Sequence, residues 1–287
     1  AEALFSEAER CGLRLIAGKT MMDRNAPPGV LDTAQSAYDD TKALIERWHG
    51  RGRTEVAITP RFAITSTPAQ MEAAQALVRA HPGCPVQTHL SENHAEIALT
   101  AELYPEAVDY LDVYERYDLL GRRALFGHCL HLSARERARL AETGSVAVFC
   151  PTSNLFLGSG LFDLAGLEQA GVRTALASDI GGGTSYSLLR TLDEAYKVLR
   201  LQGQTLDPLS AFYRVTRGNA EALGLAECIG TLEAGTEADV VVLDARATPA
   251  MALRMERVET LAEELFVLQT LGDDRAVRAV YVAGEPA

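Results

Sequence analysis

Short apolar or β-branched runs alternate along this chain with longer segments in which apolar positions recur every three or four residues. The short runs predict strands at Leu13–Ala17, Glu55–Thr59, Pro85–His89, Arg123–His128, Ser145–Cys150 and Val172–Ser178. The periodic segments predict amphipathic helices, among them Ala34–Trp48, Pro68–Ala80, Ala134–Glu142 and Leu188–Leu201. Local chemistry agrees with several of these. Thr67 before Pro68 reads as a helix cap with proline at the first helical position, and Ser133 with Glu136 three residues on reads as a capping box. Gly144 and Gly171 stand where helices should stop.

Nearly all-apolar strands alternating with helices imply an α/β fold with a parallel sheet buried on both faces. Six strand–helix units are countable, whereas a closed (β/α)8 barrel needs eight. The barrel is nonetheless favoured over an open, doubly wound sheet by where the unusual residues fall. Lys19, Arg61, His89, His128, Asn154 and Asp179 all lie at or beyond the C-terminal end of a different strand. Barrel enzymes gather polar residues from many strand ends on one rim, while an open sheet concentrates them at one switch point. An incomplete TIM barrel is therefore expected, with two units missing upstream of Ala1. From about Cys228 the texture changes: strands are predicted at Asp239–Asp244 and Ala276–Gly284, with a helix near Ala252–Thr270 between them. The expected organisation is a barrel over residues 1–228 and part of a small β-sandwich plus helix over 229–287.

Charge narrows the function classes. Against 27 Lys and Arg stand 39 Asp and Glu, a formal net charge of −12. Such an acidic surface repels phosphate backbones and anionic membranes, so nucleic acid and membrane are not expected partners, while a neutral base entering a pocket remains compatible. No apolar run reaches the roughly 18 residues of a membrane span. Five scattered cysteines, none in a C-x-x-C pair, fit reduced thiols in a cytoplasmic enzyme better than disulfides or a cysteine metal site. The chain opens AEALFSEAER, without an initiator Met and already helical in texture, so the missing signal peptide carries little information.

Gly12 to Thr20 resembles a phosphate-binding loop, but five residues, all but Arg14 apolar, separate its glycines where that motif has four. Lys19 reads instead as a rim lysine. The stretch Gln87–Asn93 is more informative, since His89 ends an apolar strand and Glu92 follows three residues later. A metal ligand and a carboxylate acid/base require this relation. Phe126-Gly-His128-Cys129 repeats the arrangement at the next predicted strand end, and Ala177-Ser-Asp179 adds a carboxylate two strands later. Imidazoles and a carboxylate on separate strands make a nitrogen/oxygen set suited to zinc or iron. His49, His81, His94 and His131 lack this placement and read as surface residues. Gly181-Gly182-Gly183 permits close backbone approach or simply a tight turn. Arg61 at a strand end presents a planar fork of donors. Phe62 beside it is either a stacking surface or an ordinary core aromatic.

The HLSE, GHC and ASD strand ends resemble those of the amidohydrolase superfamily, metal-dependent hydrolases built on a (β/α)8 barrel with an added β-sandwich, and IGTLEAGTEADVVVLD is similar to its C-terminal signature. TPRFAIT, THLSEN, CPTSNLFLGSGLF, SDIGGGTSYS and LGDDRAVRAVYVAG are similar to the guanine deaminase branch. The resemblance implies hydrolysis of guanine to xanthine and ammonia, part of purine catabolism, with one zinc per subunit (iron as alternative). His89 and Asp179 would hold the metal, and His128 would either join them or orient the nucleophile. Glu92, Asp179 and His128 would be catalytic, and Arg61, Phe62, His89, Glu92 and Asp179 would contact the purine base. A homodimer is left open. The superfamily's H-x-H pair is absent from this chain, so half of the metal shell is expected upstream and this piece alone is expected to be inactive. Competing readings are a deaminase or chlorohydrolase of another N-heterocycle, and a non-catalytic barrel serving as a binding scaffold.

Overall fold

Alternating strands and helices run the length of the computed structural model, which describes residues 1–287. Residues 1–147 with 170–173 form one compact unit, and residues 148–169 with 174–287 form a second. The first unit contains α1 (Glu2–Arg10), β1 (Leu15–Ala17), β2 (Thr20–Met21), α2 (Ala34–Trp48), β3 (Thr54–Val56), β4 (Thr59–Pro60), α3 (Pro68–Ala80), β5 (Val86–Leu90), α4 (His94–Leu103), α5 (Tyr110–Glu115), β6 (Ala124–His128), α6 (Ala134–Thr143) and the start of β7 (Val146–Phe149). β1 pairs with β3, β2 with β4 and β5 with β6, all in parallel, and Ile58 bridges Val86 in parallel. This is the parallel arrangement that the apolar runs imply.

The first expected strand is observed as β1 and is followed past Gly18 by the short β2, while the second is interrupted after β3 and resumes as β4. The cause is a close approach: a Cβ on Gly18 would stand 2.1 Å from the Ala57 carbonyl oxygen. No side chain fits there, and the two backbones pass at that point rather than continuing a regular ladder. The core of the unit is filled by Phe5 stacked on Trp48 at 5.5 Å and by Val56, Ile58, Met71, Leu77, Leu90 and Phe126, all fully buried. The expected caps are present. Thr67 Oγ1 accepts from the Gln70 amide, Ser133 and Glu136 complete a capping box, and Gly144 closes α6 in the left-handed conformation at φ +68°. That box starts α6 five residues after His128, so it fixes where the chain goes once it leaves β6.

The second unit takes the end of β7 and continues with α7 (Pro151–Phe156), α8 (Leu164–Gln169), β8 (Arg173–Leu176), α9 (Leu188–Leu201), α10 (Pro208–Tyr213), α11 (Asn219–Leu223), β9 (Val240–Leu243), α12 (Pro249–Met255), α13 (Leu261–Leu271), β10 (Val277–Val282) and β11 (Glu285–Pro286). β9, β10 and β11 form an antiparallel sheet with β10 in the middle. Leu189 of α9 packs with Met251, Met255, Val267, Leu268 and Ala276 in one buried cluster. The single helix expected over Ala252–Thr270 is in fact two, α12 and α13. Thr260 caps α13 through a box with Glu263, giving the backbone a local alternative to continuing α12. The change of texture near Cys228 falls inside this second unit. All five cysteines are free, and no helix is long and apolar enough to cross a membrane.

Replacing the Ser133 cap tests how far this local chemistry stabilises the fold. Ser133→Ala should lower the unfolding free energy by about 1 kcal/mol, since the Glu136 amide loses its side-chain acceptor, and the denaturant midpoint measures it.

Candidate active site

Arg61 follows β4 directly, His89 is the penultimate residue of β5, and His128 is the last residue of β6. Three neighbouring strand ends therefore deliver a guanidinium and two imidazoles to one edge of the first unit. Backbone bonds lock the loops behind them together: the Cys129 amide donates to the Leu90 carbonyl at 2.9 Å, and the Leu130 and His131 amides both donate to the Ser91 carbonyl at 3.2 Å. The chain bends sharply here. Ser91 (φ +51°), His128 (φ +73°) and Cys129 (φ +51°) all occupy left-handed backbone that non-glycine residues avoid. Strain of this kind persists only where surrounding bonds hold it, and it gathers at functional sites.

The His89 ring is oriented by the main chain. Its Nδ1 lies 2.7 Å from the Arg61 carbonyl oxygen, which can only accept, so Nδ1 carries the proton and Nε2 presents its lone pair. Metal-ligating imidazoles take this form, with the far nitrogen donating to a carbonyl or carboxylate. The ring stacks on His128 with centroids 5.4 Å apart and meets Phe62 at 5.4 Å. Phe62 in turn lies beneath the Arg61 guanidinium, whose carbon is 4.8 Å from the ring centroid. Arg61 is exposed and Phe62 half-buried, so the pair presents the guanidinium's hydrogen-bond donors to solvent over the aromatic ring.

Glu92 follows β5 as expected. Its Oε2 is 3.7 Å from Nε2 of His128, and the side chains are 14% and 2% exposed. That distance is too long for a hydrogen bond but within ion-pair reach of a protonated imidazole. The Glu92 amide donates to Oε2 of Glu96 at 3.1 Å. Glu96 is buried at 5% exposure, and burial pushes its carboxyl above the ordinary range.

In the second unit, Asp179 lies three residues beyond β8, half-buried, with φ +50°. The glycine run after it folds the chain back tightly. The Gly183 amide donates to the Asp179 carbonyl at 2.5 Å, and Thr152 Oγ1 donates to the Ser178 carbonyl at 2.9 Å. A Cβ on Gly183 would fall 1.8 Å from the Ser178 carbonyl oxygen, so only glycine fits.

Two other strand-end residues are held by structural contacts or burial. Lys19 forms an ion pair with Asp32, consistent with a structural rim lysine. Asn154 is buried within α7 instead of sitting on an open rim. His49 is not a surface residue either: it is half-buried and accepts the Val56 amide on Nδ1 at 3.1 Å. Pattern reading missed Tyr114, a fully buried tyrosine of α5. Its hydroxyl accepts from the Ala63 amide at 3.0 Å and donates to the His89 carbonyl at 2.7 Å. Its only signal was an aromatic at a helical core position, which is how ordinary packing also looks.

The whole chain, residues 1–287, matches the amidohydrolase family. It is 52% identical over 283 residues to a guanine deaminase of Escherichia coli, spanning 99% of this chain and 64% of that protein. The chain thus spans somewhat under two thirds of that curated relative. Its structure superposes on that of the E. coli guanine deaminase with a TM-score of 0.98 at 51% identity, covering 100% of this chain and 67% of that one. A guanine deaminase structure from C. acetobutylicum with guanine bound in its active site matches with a TM-score of 0.91 at 28% identity, covering 99% and 68%.

The turn behind Asp179 yields a direct test. Gly183→Ala must move the Ser178 carbonyl or the loop, so it should lower stability by roughly 1–3 kcal/mol and raise amide exchange across 179–183 above that of the rest of the second unit. Exchange mass spectrometry resolves that segment.

Proposed function

The chain belongs to the amidohydrolase family, and from that premise we propose that it serves the hydrolytic deamination of guanine, converting guanine and water to xanthine and ammonia. One observation carries the reading: Arg61 supplies both the carbonyl that orients His89 and the guanidinium that lies over Phe62. A metal-binding imidazole and a grip for a flat, acceptor-rich base therefore originate from a single residue. The similarity to guanine deaminases over nearly the full chain supports the same substrate.

His89, with Nε2 as its lone-pair donor, and the carboxylate of Asp179 fit a nitrogen/oxygen site, and we assign them to a divalent metal, zinc in the first instance and iron as the alternative. When bound, such a metal supplies a nucleophile by lowering the pKa of its water toward about 7. The remaining chemistry belongs to the side chains. Arg61 donates to O6 and N7 of the base, the acceptor-rich edge of guanine, and Phe62 stacks on its face. Asp179 takes a proton from the attacking water. Glu92 delivers a proton to ring nitrogen N3, which makes the adjacent C2 electrophilic; the proton that Asp179 took from the water passes to the exocyclic amine so that ammonia leaves, and Glu92 recovers its own from the C2 hydroxyl as the xanthine carbonyl forms. The 3.7 Å separation of His128 and Glu92 supports a proton-handling role for His128, which as imidazolium would also stabilise the negative charge developing during addition at C2. Ligation through the same Nε2 is the second reading for His128. The free cysteines support a reducing, cytoplasmic setting.

Two experiments, run on a full-length protein that supplies the H-x-H pair expected upstream, separate the roles. His89→Ala should lose most of the metal by elemental analysis, whereas Glu92→Gln should retain it while turnover falls roughly 10²–10⁴-fold. Full metal content in His89→Ala would remove the site from β5. Arg61→Ala should keep its metal and lower kcat/KM for guanine by roughly 2–4 kcal/mol, chiefly through KM. Faster turnover of cytosine, adenosine or a triazine than of guanine would instead favour a deaminase or chlorohydrolase of another heterocycle.

A further inference from the structure

We propose that the buried hydroxyl of Tyr114 is a positioning group that holds the base-gripping Arg61–Phe62 segment and the His89 imidazole in fixed relation. The inference rests on the functional reading above and extends it to a residue that touches neither base nor metal.

The hydroxyl lies where the chain after β4 meets β5. It accepts from the Ala63 amide at 3.0 Å, which sets the backbone immediately after Phe62, and it donates to the His89 carbonyl at 2.7 Å. Thr88 Oγ1 reaches the same hydroxyl at 3.2 Å and the Arg61 carbonyl at 3.1 Å. The Arg61 carbonyl is in turn the acceptor for His89 Nδ1. The circuit runs from Arg61 carbonyl to His89 ring and from His89 carbonyl to Tyr114, and Thr88, with one proton to donate, extends it to either the Tyr114 hydroxyl or the Arg61 carbonyl at a time.

Two features suit Tyr114 to this task. Its ring is locked between Tyr110 and Phe126, with centroids 5.6 Å away on each side, so the hydroxyl cannot swing to another partner. Burial also pushes the phenol well above its ordinary pKa, which keeps the O–H a donor across the working range of pH. Removing the hydroxyl would leave a buried amide and a buried carbonyl short of a partner. The local backbone then has reason to move even though the aromatic packing is retained.

The test compares Tyr114→Phe with Tyr104→Phe. The latter removes another buried tyrosine hydroxyl, bonded to the Ser66 carbonyl at 2.5 Å and outside the circuit. Both variants should melt at a lower temperature. Only Tyr114→Phe should speed exchange of the Ala63 amide, shift the His89 ring nitrogens in nitrogen-15 spectra, and weaken guanine binding by calorimetry, the first and last by about tenfold. Ala63 exchange and His89 shifts equal in the two variants would overturn the proposal. Should the parent protein fail to bind guanine, the substrate reading falls, while exchange and ring shifts still decide the positioning role. If Tyr114→Phe does not fold, Thr88→Val breaks the same circuit with an isosteric side chain. It should give the same pattern in smaller amplitude, and wild-type Ala63 exchange and His89 shifts in that variant would equally overturn the proposal.

Discussion

The arrangement of the first unit's strand ends depends on one hydrogen bond, from Nδ1 of His89 to the carbonyl of Arg61. An imidazole left to itself exchanges tautomers and rotates; bonded to an acceptor that holds no proton, it has one face and one available lone pair. That constraint requires β5 to end one residue past His89 and the chain after β4 to pass beside it. The parallel pairing of β5 with β6 then sets the His128 ring 5.4 Å from that of His89. Glu92 reaches His128 only because Ser91 adopts a left-handed turn, and the Glu92 amide is anchored by the buried Glu96. Each of these is a weak interaction of about 1 kcal/mol, but they close on one another, and a closed set is stiffer than its members.

Much of this was legible in the amino-acid sequence, for physical reasons that can be named. Helices α2, α3 and α9 keep the predicted limits because each carries an apolar stripe, reinforced in α2 and α3 by threonine caps. His89, His128 and Asp179 stood out because each polar group terminates an apolar run, where a buried strand gives way to a rim. Local pattern failed where a distant segment decided the outcome. The break at Gly18 depends on Ala57 nearly forty residues away. Tyr114 matters through a hydroxyl bonded to the turn after β4 and to β5, and periodicity sees only its ring. The break between α12 and α13 was visible in Thr260 and Glu263, but the surrounding apolar residues masked it.

Backbone strain follows the same geography. Ser91, His128, Cys129 and Asp179 are left-handed residues without the freedom of glycine, and each lies at or just after the end of a strand. Left-handed backbone costs of order 1–3 kcal/mol per residue, a burden that the buried cores of the two units must offset. Strain at these points aims side chains in directions that a relaxed strand would not allow.

The bond that orients His89 ends on the main chain of residue 61, while the group proposed to meet a substrate is its side chain. Main-chain atoms survive any substitution, so this division uncouples heritable change in selectivity from the integrity of the reaction centre. A lineage could explore new side chains at position 61 while the imidazole keeps its tautomer and aim. If residue 61 meets the substrate as proposed, altered preference begins here at little risk, and variation among related hydrolases should accumulate in side chains on such rims before it reaches the carbonyls beneath them.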